Sequence, residues 1–349
     1  MIKKGRGLAI CMYSLTVMNA PNPCSAYVVM RDDGSINVQI GTVDIGQGSD
    51  TALAMMVAEY MSVPFEKVNI YSADTAATPY DFGTLSSRLT FTGGRAVLAA
   101  CEQVMDVLKQ AAAKELGTRM DRLYVENGFI KDKYDDRKML PIAAAASISQ
   151  YVHRKLPMGM GEYYPYNVPV DADGHGEPSE TFYYHGTVAD VEVDTETGVV
   201  DVKKLYAAVD CGRAINPGVV IGQVEGGAMQ AVGWALREDM YPYGTGVNGE
   251  YEWFDPDFRP LNLSDYPIAT TMDTPEISAA FVETYDPEGP FGAKAAGEIA
   301  ANTAAPAIID AIHDAVGIWV TELPAIPDKV LKLIRDTERE TERNMEEGE

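Results

Sequence analysis

The chain has 349 residues, of which 46% are hydrophobic and 23% charged, and its formal net charge is −24. A chain of this length can bury a large core and is expected to hold two domains or subdomains. The acidic balance argues against nucleic acid and anionic membrane surfaces as partners, because both attract basic patches; plain solubility also explains it. Because basic residues are scarce, an anionic cofactor would be held mainly by backbone N–H groups and helix N-termini.

The cysteines and histidines show no metal-binding pattern. The four cysteines form no CxxC pair, which argues against an iron–sulfur or zinc cluster in this chain. A disulfide framework is not indicated either, which fits a reducing, cytoplasmic compartment. The four histidines lack ligand spacing, so no metal-ligating side chain is predicted. The sequence has no 18-residue apolar run, so no transmembrane helix is expected.

The N-terminal stretch allows two interpretations. Lys3, Lys4 and Arg6 precede an apolar run from Leu8 to Met18, as in a secretory signal peptide. The β-branched and aromatic residues of this run fit a strand as well. Because no small-x-small cleavage site follows, we favour a strand of the mature protein.

The next stretch alternates short apolar runs with turn signals. Residues 26–30 and 36–40 flank Asp32-Asp33-Gly34 and predict a hairpin. A strand then runs into Gly46-Gln47-Gly48, and apolar residues at helical spacing between Leu53 and Met61 predict a helix. A glycine turn before a helix N-terminus can bind an anion or an amide, although an ordinary tight turn fits equally well.

The middle of the chain contains a polar loop, two predicted helices and a second hairpin. Residues 72–87 are rich in hydroxyls, which suits a polar cofactor or merely a hydrophilic surface. A long helix is predicted after Gly93-Gly94, and another from Pro141 to about Lys155. Two strands around residues 195–198 predict the hairpin.

Two further motifs follow this hairpin. Its second strand ends in Val209-Asp210-Cys211-Gly212, and Gln223 then lies between glycines, where we expect extended backbone to meet a helix that runs to about Leu236. An amide side chain both donates and accepts hydrogen bonds, which suits oxo or pterin groups. Asp328 is predicted to cap a helix that ends near Thr337.

The stretch from Gly289 to Glu298 consists mostly of small residues and ends in a carboxylate. Glycine and alanine allow the backbone to approach a ligand closely. An Ala-rich helix is predicted to follow, so Glu298 should be poorly solvated, which suits a general base. Two structural alternatives remain: an acidic residue favoured by the helix dipole, and a helical ion pair with Lys294, four residues earlier.

Five motifs in this order resemble the molybdenum hydroxylase family of xanthine dehydrogenases and aldehyde oxidases. Each motif is weak alone, but the shared order is specific. The resemblance covers the C-terminal part of the family's molybdopterin-binding portion, from Gly41 to about Leu331. The motifs are Gly46-Gln47-Gly48, Thr84 to Arg88 with Gly94, Val209-Asp210-Cys211-Gly212 with Ile215-Asn216-Pro217, Gly222-Gln223-Val224-Glu225-Gly226, and Gly292 to Glu298.

The resemblance implies a fold, a domain organisation and a cofactor. We expect an α+β fold of mixed sheets with packed helices. Residues 1–155 and 156–337 would form two molybdopterin-binding subdomains, the second carrying the catalytic glutamate, and residues 338–349 a charged tail that frays. The implied cofactor is a molybdopterin dinucleotide with molybdenum, for which the cytosine dinucleotide is favoured.

The resemblance also implies roles for individual residues. Glu298 matches the family's catalytic base, and Gln47 would touch the cofactor near molybdenum. Gln223 would lie against the pterin, while Ser86, Ser87 and Arg88 would contact the pterin dinucleotide through side chain or backbone. The metal has no protein ligand in this family. The expected cofactor-binding residues are Gly46, Gln47, Gly48, Ser86, Ser87, Arg88, Gln223 and Gly297.

One departure from the family pattern concerns chain organisation. The family's molybdenum portion is normally one longer chain, and its N-terminal half, like the iron–sulfur and flavin modules, is not found in this sequence. The resemblance therefore implies a partner chain that carries that half, with the iron–sulfur clusters and FAD on further partner subunits. Nicotinate dehydrogenases divide their molybdopterin portion in this way, and their medium molybdopterin subunit is the favoured relative.

The implied activity is hydroxylation of an electron-poor carbon in a small N-heteroaromatic substrate, with oxygen from water and nicotinate favoured. A purine hydroxylase or an aromatic thioester reductase of the same family is the alternative. A subunit that only holds the cofactor would need no base, and Glu298 in its full motif argues against it. An unrelated nucleotide-binding enzyme would need a lysine or an acidic ribose partner at the first glycine turn, which has neither.

Overall fold

The computed structural model describes residues 1–18, 20–239, 241–242, 258–259, 262–264 and 266–346. Between residues 237 and 275, residues 240, 243–257, 260–261 and 265 lie outside the described residues. The strands are β1 (Ile2–Ser14), β2 (Cys24–Met30), β3 (Ile36–Ile40), β4 (Val68–Tyr71), β5 (Leu123–Glu126), β6 (Phe129–Asp132), β7 (Asp135–Pro141), β8 (Met158–Tyr163), β9 (Phe182–Asp194), β10 (Val200–Asp210), β11 (Tyr241–Pro242), β12 (Phe258–Arg259) and β13 (Glu276–Val282). The helices are α1 (Ser49–Met61), α2 (Leu89–Glu115), α3 (Ile142–Tyr151), α4 (Pro217–Leu236), α5 (Ile299–Val316) and α6 (Pro327–Glu346).

The first sheet has the order β4-β3-β2-β8. The β2–β3 hairpin is antiparallel with Ala26 opposite Ile40, which confirms the first predicted hairpin. Apolar residues from this sheet and from α1, α2 and α3 form one buried core. A small three-stranded sheet, β5-β6-β7, joins α2 to α3.

The second sheet has the order β1-β9-β10-β13. The β9–β10 pair confirms the second predicted hairpin, and the N-terminal run is a strand that pairs along its whole length with β9, from Ile2 opposite Asp194 to Ser14 opposite Phe182. Helices α4 and α5 cover one face of this sheet. Mixed sheets covered by helices confirm the predicted α+β fold.

Both sheets cross the predicted subdomain boundary between residues 155 and 156. Strand β1 pairs with β9, and β8 pairs with β2. A cut at this boundary would therefore remove a strand from each sheet. The boundary itself stays a prediction.

Four helices differ from their predicted extents, and among them α3 ends at Tyr151 instead of near Lys155. Helix α2 already begins at Leu89, so Gly94 lies inside it, where a Cβ would come within 2.7 Å of Pro290 Cγ. Helix α4 begins at Pro217 and therefore contains Gln223, which the sequence placed before the helix. Helix α6 continues past Thr337 to Glu346, with Arg–carboxylate pairs at i,i+3 along its charged end.

None of the described helices is long and apolar enough to cross a membrane.

Pairs of glycines let each sheet lie directly against an Ala-rich helix. In β1, a Cβ at Gly5 or Gly7 would lie 2.1 or 2.2 Å from a backbone oxygen of α5. In β8, a Cβ at Gly159 or Gly161 would lie 2.2 or 1.9 Å from a backbone oxygen of α2. Since real Cβ atoms do not approach this closely, side chains at these positions would force sheet and helix apart.

Strand β1 is an edge strand, and α5 supplies acceptors for its free N–H groups. Asp314 accepts a hydrogen bond from the Arg6 N–H at 2.8 Å, and Asp310 accepts one from the Leu8 N–H at 2.9 Å. The two aspartates lie one helical turn apart, so they match alternate residues of the strand. This arrangement satisfies an edge that would otherwise be open to pairing with another chain.

The glycine contacts predict a sharp difference between two substitutions. Gly7→Ala should lower the free energy of unfolding by about 2 kcal/mol or more, because the new Cβ meets backbone that cannot move freely. Gly186→Ala is the control, since its Cβ would meet no atom closer than 3.7 Å. Chemical denaturation of both variants measures the effect, and equal stability of the two would contradict the packing argument.

Candidate functional site

A cavity of about 400 Å³ lies where all five sequence motifs meet. Its wall is formed by the turn before α1, the loop before α2, residues 211–216, one side of α4 and residues 294–298. These segments are far apart in the sequence, so the fold brings the motifs together. Seven of the nine predicted site residues line the cavity; Gly46 and Ser86 adjoin it in sequence without lining it. The seven are Gln47, Gly48, Ser87, Arg88, Gln223, Gly297 and Glu298.

A short extended pairing joins the third and fifth motifs. Lys294 donates its N–H to Cys211 O at 2.8 Å, and Arg213 donates its N–H to Gly292 O at 2.9 Å. Gly212 lies between them at φ +61°, and a Cβ there would lie 2.4 Å from Gly292 O. Glycine is required here for both its conformation and its size.

A mostly buried ion pair reinforces this pairing. Lys294 Nζ lies 2.8 Å from Asp210 Oδ2, and Thr284 donates a second bond to the same carboxylate at 2.5 Å. Burial alone would raise the pKa of Asp210, but these hydrogen bonds and the Gly212 N–H hold it below its ordinary value. The suggested helical ion pair between Lys294 and Glu298 is therefore wrong, because the residues between them are not helical and Lys294 pairs with Asp210.

Glu298 stands at the N-terminus of α5, on the cavity wall. Its Oε2 accepts hydrogen bonds from Tyr13 Oη at 2.8 Å and from Ser87 Oγ at 3.4 Å. Its backbone N–H donates to Ser87 Oγ at 3.0 Å. The side chain is exposed, so the expectation of a poorly solvated carboxylate is wrong for this chain alone. The small residues before Glu298 cover its backbone and leave its carboxylate open.

The serine that contacts Glu298 belongs to a strained loop. Ser86 and Ser87 have φ of +52° and +51°, in the left-handed region that non-glycine residues rarely occupy. Such conformations persist only where the surrounding structure enforces them, and they cluster at functional sites. Here the strained pair places the Ser87 hydroxyl between the backbone and the carboxylate of Glu298.

Arg88 anchors this loop from inside the protein. Its side chain is fully buried and donates to both oxygens of Asp81 at 3.0 Å, to Gly83 O at 2.8 Å and to Asn22 O at 2.8 Å. Both terminal nitrogens of the guanidinium are thus committed to protein partners, and the buried Nε has no hydrogen-bond partner among the described residues. The backbone is engaged as well, because the Arg88 N–H donates to Leu85 O at 3.3 Å and the Arg88 carbonyl accepts from the Thr92 N–H at 2.8 Å. The cofactor contact of Arg88 therefore stays a prediction.

The buried pair makes a stability prediction. Arg88→Met should lower the free energy of unfolding by about 3–5 kcal/mol, because Asp81 would remain buried without its partner. Arg137→Met is the control, since the Arg137–Asp135 pair lies at the surface and should matter little. Urea denaturation compares the two, and an unchanged midpoint for Arg88→Met would contradict the anchoring role.

The turn at Gly46-Gln47-Gly48 is organised by the chain itself. Asp44 accepts hydrogen bonds from the N–H groups of Gly46, Gly48 and Asp50 at 2.9, 3.3 and 3.2 Å. Burial would raise the pKa of Asp44, but these N–H groups hold it below its ordinary value. The anion site predicted at this helix N-terminus is therefore occupied by the protein's own carboxylate.

Gln47 and Gln223 differ in what their amides contact. The Gln47 amide bonds to its own turn, accepting from the Ile45 N–H at 2.6 Å and donating to Val43 O at 3.2 Å and Ser49 Oγ at 3.0 Å. Gln223 projects from α4 into the cavity wall, and a Cβ at Gly297 would lie 3.8 Å from its Oε1. Gln223 is thus the better placed of the two to contact a ligand.

Gly226 and Gly297 line the cavity and keep two parts of its wall free of side chains. A Cβ at Gly297 would lie 3.2 Å from Ser87 Oγ, so only backbone fits at this part of the wall. A Cβ at Gly222 or Gly226 would meet no described atom within 4 Å, which leaves one side of α4 free. A ligand here would meet backbone and amide groups, as expected for a chain poor in basic residues.

Sequence reasoning missed two residues of this site, Tyr13 and Asp44. Asp44 had a recognisable signal, because an aspartate two residues before a turn commonly accepts its N–H groups. Tyr13 had none, since its contact with Glu298 depends on the pairing of β1 with β9 and on the position of α5.

A separate polar cluster lies outside the cavity. Asp171, Asp173 and His175 hold their ligand atoms within 4.8 Å of one another on an exposed loop. His175 shows no metal-ligand spacing in the sequence, and its approach to the two aspartates comes from the turn of that loop. None of the three lines the cavity.

Comparison with known proteins identifies the family. Residues 1–256 match the family model described as molybdopterin cofactor-binding domain. This match covers well over half of the chain, so the chain belongs to the molybdopterin cofactor-binding domain family. The resemblance to the molybdenum hydroxylases is thereby confirmed.

Similar proteins cover nearly all of the chain. It is 30% identical over 332 residues to a probable hypoxanthine oxidase of Escherichia coli K12, covering 94% of this chain and 32% of that protein. It is 29% identical over 311 residues to the nicotine 6-hydroxylase large subunit of Paenarthrobacter nicotinovorans, covering 88% and 36%. The structure of quinoline 2-oxidoreductase from Pseudomonas putida 86 matches with a TM-score of 0.83 and 26% identity, covering 96% and 42%. The chain thus spans about a third of the length of these curated relatives.

Proposed function

We propose that this chain is the molybdopterin-binding part of a molybdenum-dependent hydroxylase in which Glu298 is the general base. The observation that carries the proposal is the convergence of five motifs on one cavity, with Glu298 held at its wall by two hydroxyls. The family membership supports the cofactor, and relatives named as oxidase and hydroxylase support the activity.

The cavity residues fit a molybdopterin dinucleotide, with the cytosine form favoured. Gln223, Gly226 and Gly297 would hold the pterin, while Gly48 and the backbone around Ser87 would contact the dinucleotide part. Gln47 would contribute mainly by keeping its turn in place. When bound, the cofactor supplies two-electron redox chemistry for hydroxylation with oxygen from water.

Glu298 can accept a proton at a defined atom. Both side-chain hydrogen bonds go to Oε2, and among the described residues none goes to Oε1. Oε1 is therefore the oxygen free to take the proton of the attacking group. A base held in one orientation loses less entropy on reaching the reactive geometry.

The favoured substrate class is a small N-heteroaromatic compound. Relatives named nicotine 6-hydroxylase and quinoline 2-oxidoreductase point to such rings, and nicotinate fits the class. A purine is the second candidate, favoured by the likeness to a probable hypoxanthine oxidase. Relative turnover of nicotinate and hypoxanthine by the native complex distinguishes the two.

The site is proposed to be completed by partner polypeptides, with iron–sulfur clusters and FAD carried outside this chain. Glu298 is exposed, and the face of the second sheet opposite α5 is apolar and open around Ile10, whereas its other end carries the Lys4–Glu192 and Arg6–Asp190 ion pairs. Register places its exposed residues side by side across the strands. Such contiguous apolar surface marks an interaction site. These residues include Leu8, Ile10, Met12, Tyr184, Tyr206 and Val282.

The catalytic role predicts a large effect of one substitution. Glu298→Gln keeps shape and hydrogen bonding but cannot accept the proton, so turnover should fall at least about a hundredfold with normal molybdenum content. Glu288→Gln is the control, because Glu288 lies on the same segment but outside the cavity. Turnover and metal analysis of the native complex measure both. Near-normal turnover of fully loaded Glu298→Gln across the pH range would show that Glu298 is structural.

The partner proposal predicts the behaviour of the chain by itself. Expressed alone, it should contain little molybdenum and turn nothing over, because Glu298 and the apolar sheet face are uncovered. In the native complex, Ile10→Asp should weaken assembly, whereas Met139→Asp on β7 should not. Mass measurement and molybdenum analysis test this. An active, molybdenum-loaded monomer would contradict the proposal that partner polypeptides complete the site.

A further inference from the structure

We infer that Tyr13 is the positioning residue of Glu298: its hydroxyl holds Oε2 and so directs Oε1 to the reacting group. This inference rests on the proposed role of Glu298 as base. Tyr13 lies near the end of β1, in a part of the chain that contributes none of the five motifs. It does not line the cavity and would act through Glu298.

The hydrogen bonds to Glu298 give Tyr13 the larger share of the positioning. Tyr13 Oη lies 2.8 Å from Oε2, a normal distance for a hydroxyl donating to a carboxylate, whereas Ser87 Oγ lies at 3.4 Å. Ser87 Oγ also accepts from the Glu298 N–H at 3.0 Å, so its shorter contact is with the backbone and its bond to the carboxylate is the longer one. The phenol is thus the stronger constraint on the carboxylate.

The Tyr13 ring is fixed by the sheet. Tyr13 and Tyr183 are directly opposite each other in the β1–β9 register, and their rings meet edge to face at 5.6 Å. Tyr183 is fully buried, and its hydroxyl has no partner at hydrogen-bond geometry among the described residues. The pair therefore orients Tyr13 through ring packing, and leaves its hydroxyl to Glu298.

The electrostatics keep Tyr13 a donor. Burial, with the hydrogen bond to Glu298 second, raises the pKa of Tyr13 above its ordinary value, so the phenol stays protonated at neutral pH. The neighbouring titratable groups are Cys11 on β1 and Tyr183 on β9. Lys294, before α5, forms its ion pair with Asp210. The loop before α2 contributes serine hydroxyls, of which Ser87 donates to Glu298. At neutral pH the Tyr13 hydroxyl therefore acts as a donor to Glu298 Oε2.

The test is Tyr13→Phe in the native complex, which removes the hydroxyl and keeps the ring. We expect normal molybdenum content, kcat lower by about tenfold or more, and KM unchanged, since a hydrogen bond to a charged group has about this effect. The acid limb of the pH–rate profile should move to higher pH, because the ionised base loses a donor. A crystal structure should show the Glu298 side chain in more than one orientation.

Tyr163→Phe is the matched control. Tyr163 also donates to a glutamate, Glu180, at 2.6 Å and also packs edge to face on another ring, Phe91, but it lies outside the cavity. It should alter neither kcat nor the pH profile. A Tyr13→Phe complex with normal kcat and pH profile would overturn the inference, and so would a raised KM with unchanged kcat, which would place Tyr13 on the substrate. If Glu298→Gln is inactive in those cases, only the role of Tyr13 is contradicted and the proposed function still stands. If Glu298→Gln is active, the proposed function itself is contradicted.

Discussion

The pairing of Cys211 to Arg213 with Gly292 to Lys294 is the contact on which the site depends. It consists of two backbone hydrogen bonds and the mostly buried Lys294–Asp210 ion pair. Helix α4 begins a few residues after one segment and α5 a few residues after the other. Joining the segments therefore fixes the start of α4, which lines the cavity, and the start of α5, which follows Glu298 directly. A single charge pair in a low-dielectric position is costly to break, so the geometry is well determined.

The loop before α2 connects the first sheet and its helices to the same site. Arg88 binds Asp81 and the backbone near residue 22 from inside, and this anchoring supports the left-handed conformations of Ser86 and Ser87. Ser87 then meets both the N–H and the carboxylate of Glu298. Tyr13 approaches the same carboxylate from the second sheet. Glu298 is thus held from the second sheet and from the loop before α2, and a shift of either one would move the base.

Local patterns predicted the local structure, and long-range contacts explain what they missed. Both hairpins and α1 follow from turn signals and residue spacing, which act between neighbours in sequence. The spacing of Lys294 and Glu298 suggested an ion pair, but only if the intervening residues were helical. Pairing with Cys211 keeps that stretch non-helical and sends Lys294 to Asp210. Convergence of the motifs on one cavity followed from the family resemblance, whereas the Tyr13 contact required the register of β1 and β9.

The acidic character of the chain shapes the way it can hold an anionic cofactor. Asp44 already occupies the N–H groups before α1, and the Arg88 side chain is buried among protein acceptors. The cavity wall therefore offers mainly amide side chains and backbone beside glycines, and Arg213 adds a cationic side chain to it. Such a wall can select a ligand by shape and hydrogen bonding as well as by charge. Among the described residues Glu298 forms no ion pair, so the hydroxyls of Tyr13 and Ser87 orient the carboxylate without neutralising it, as a base requires.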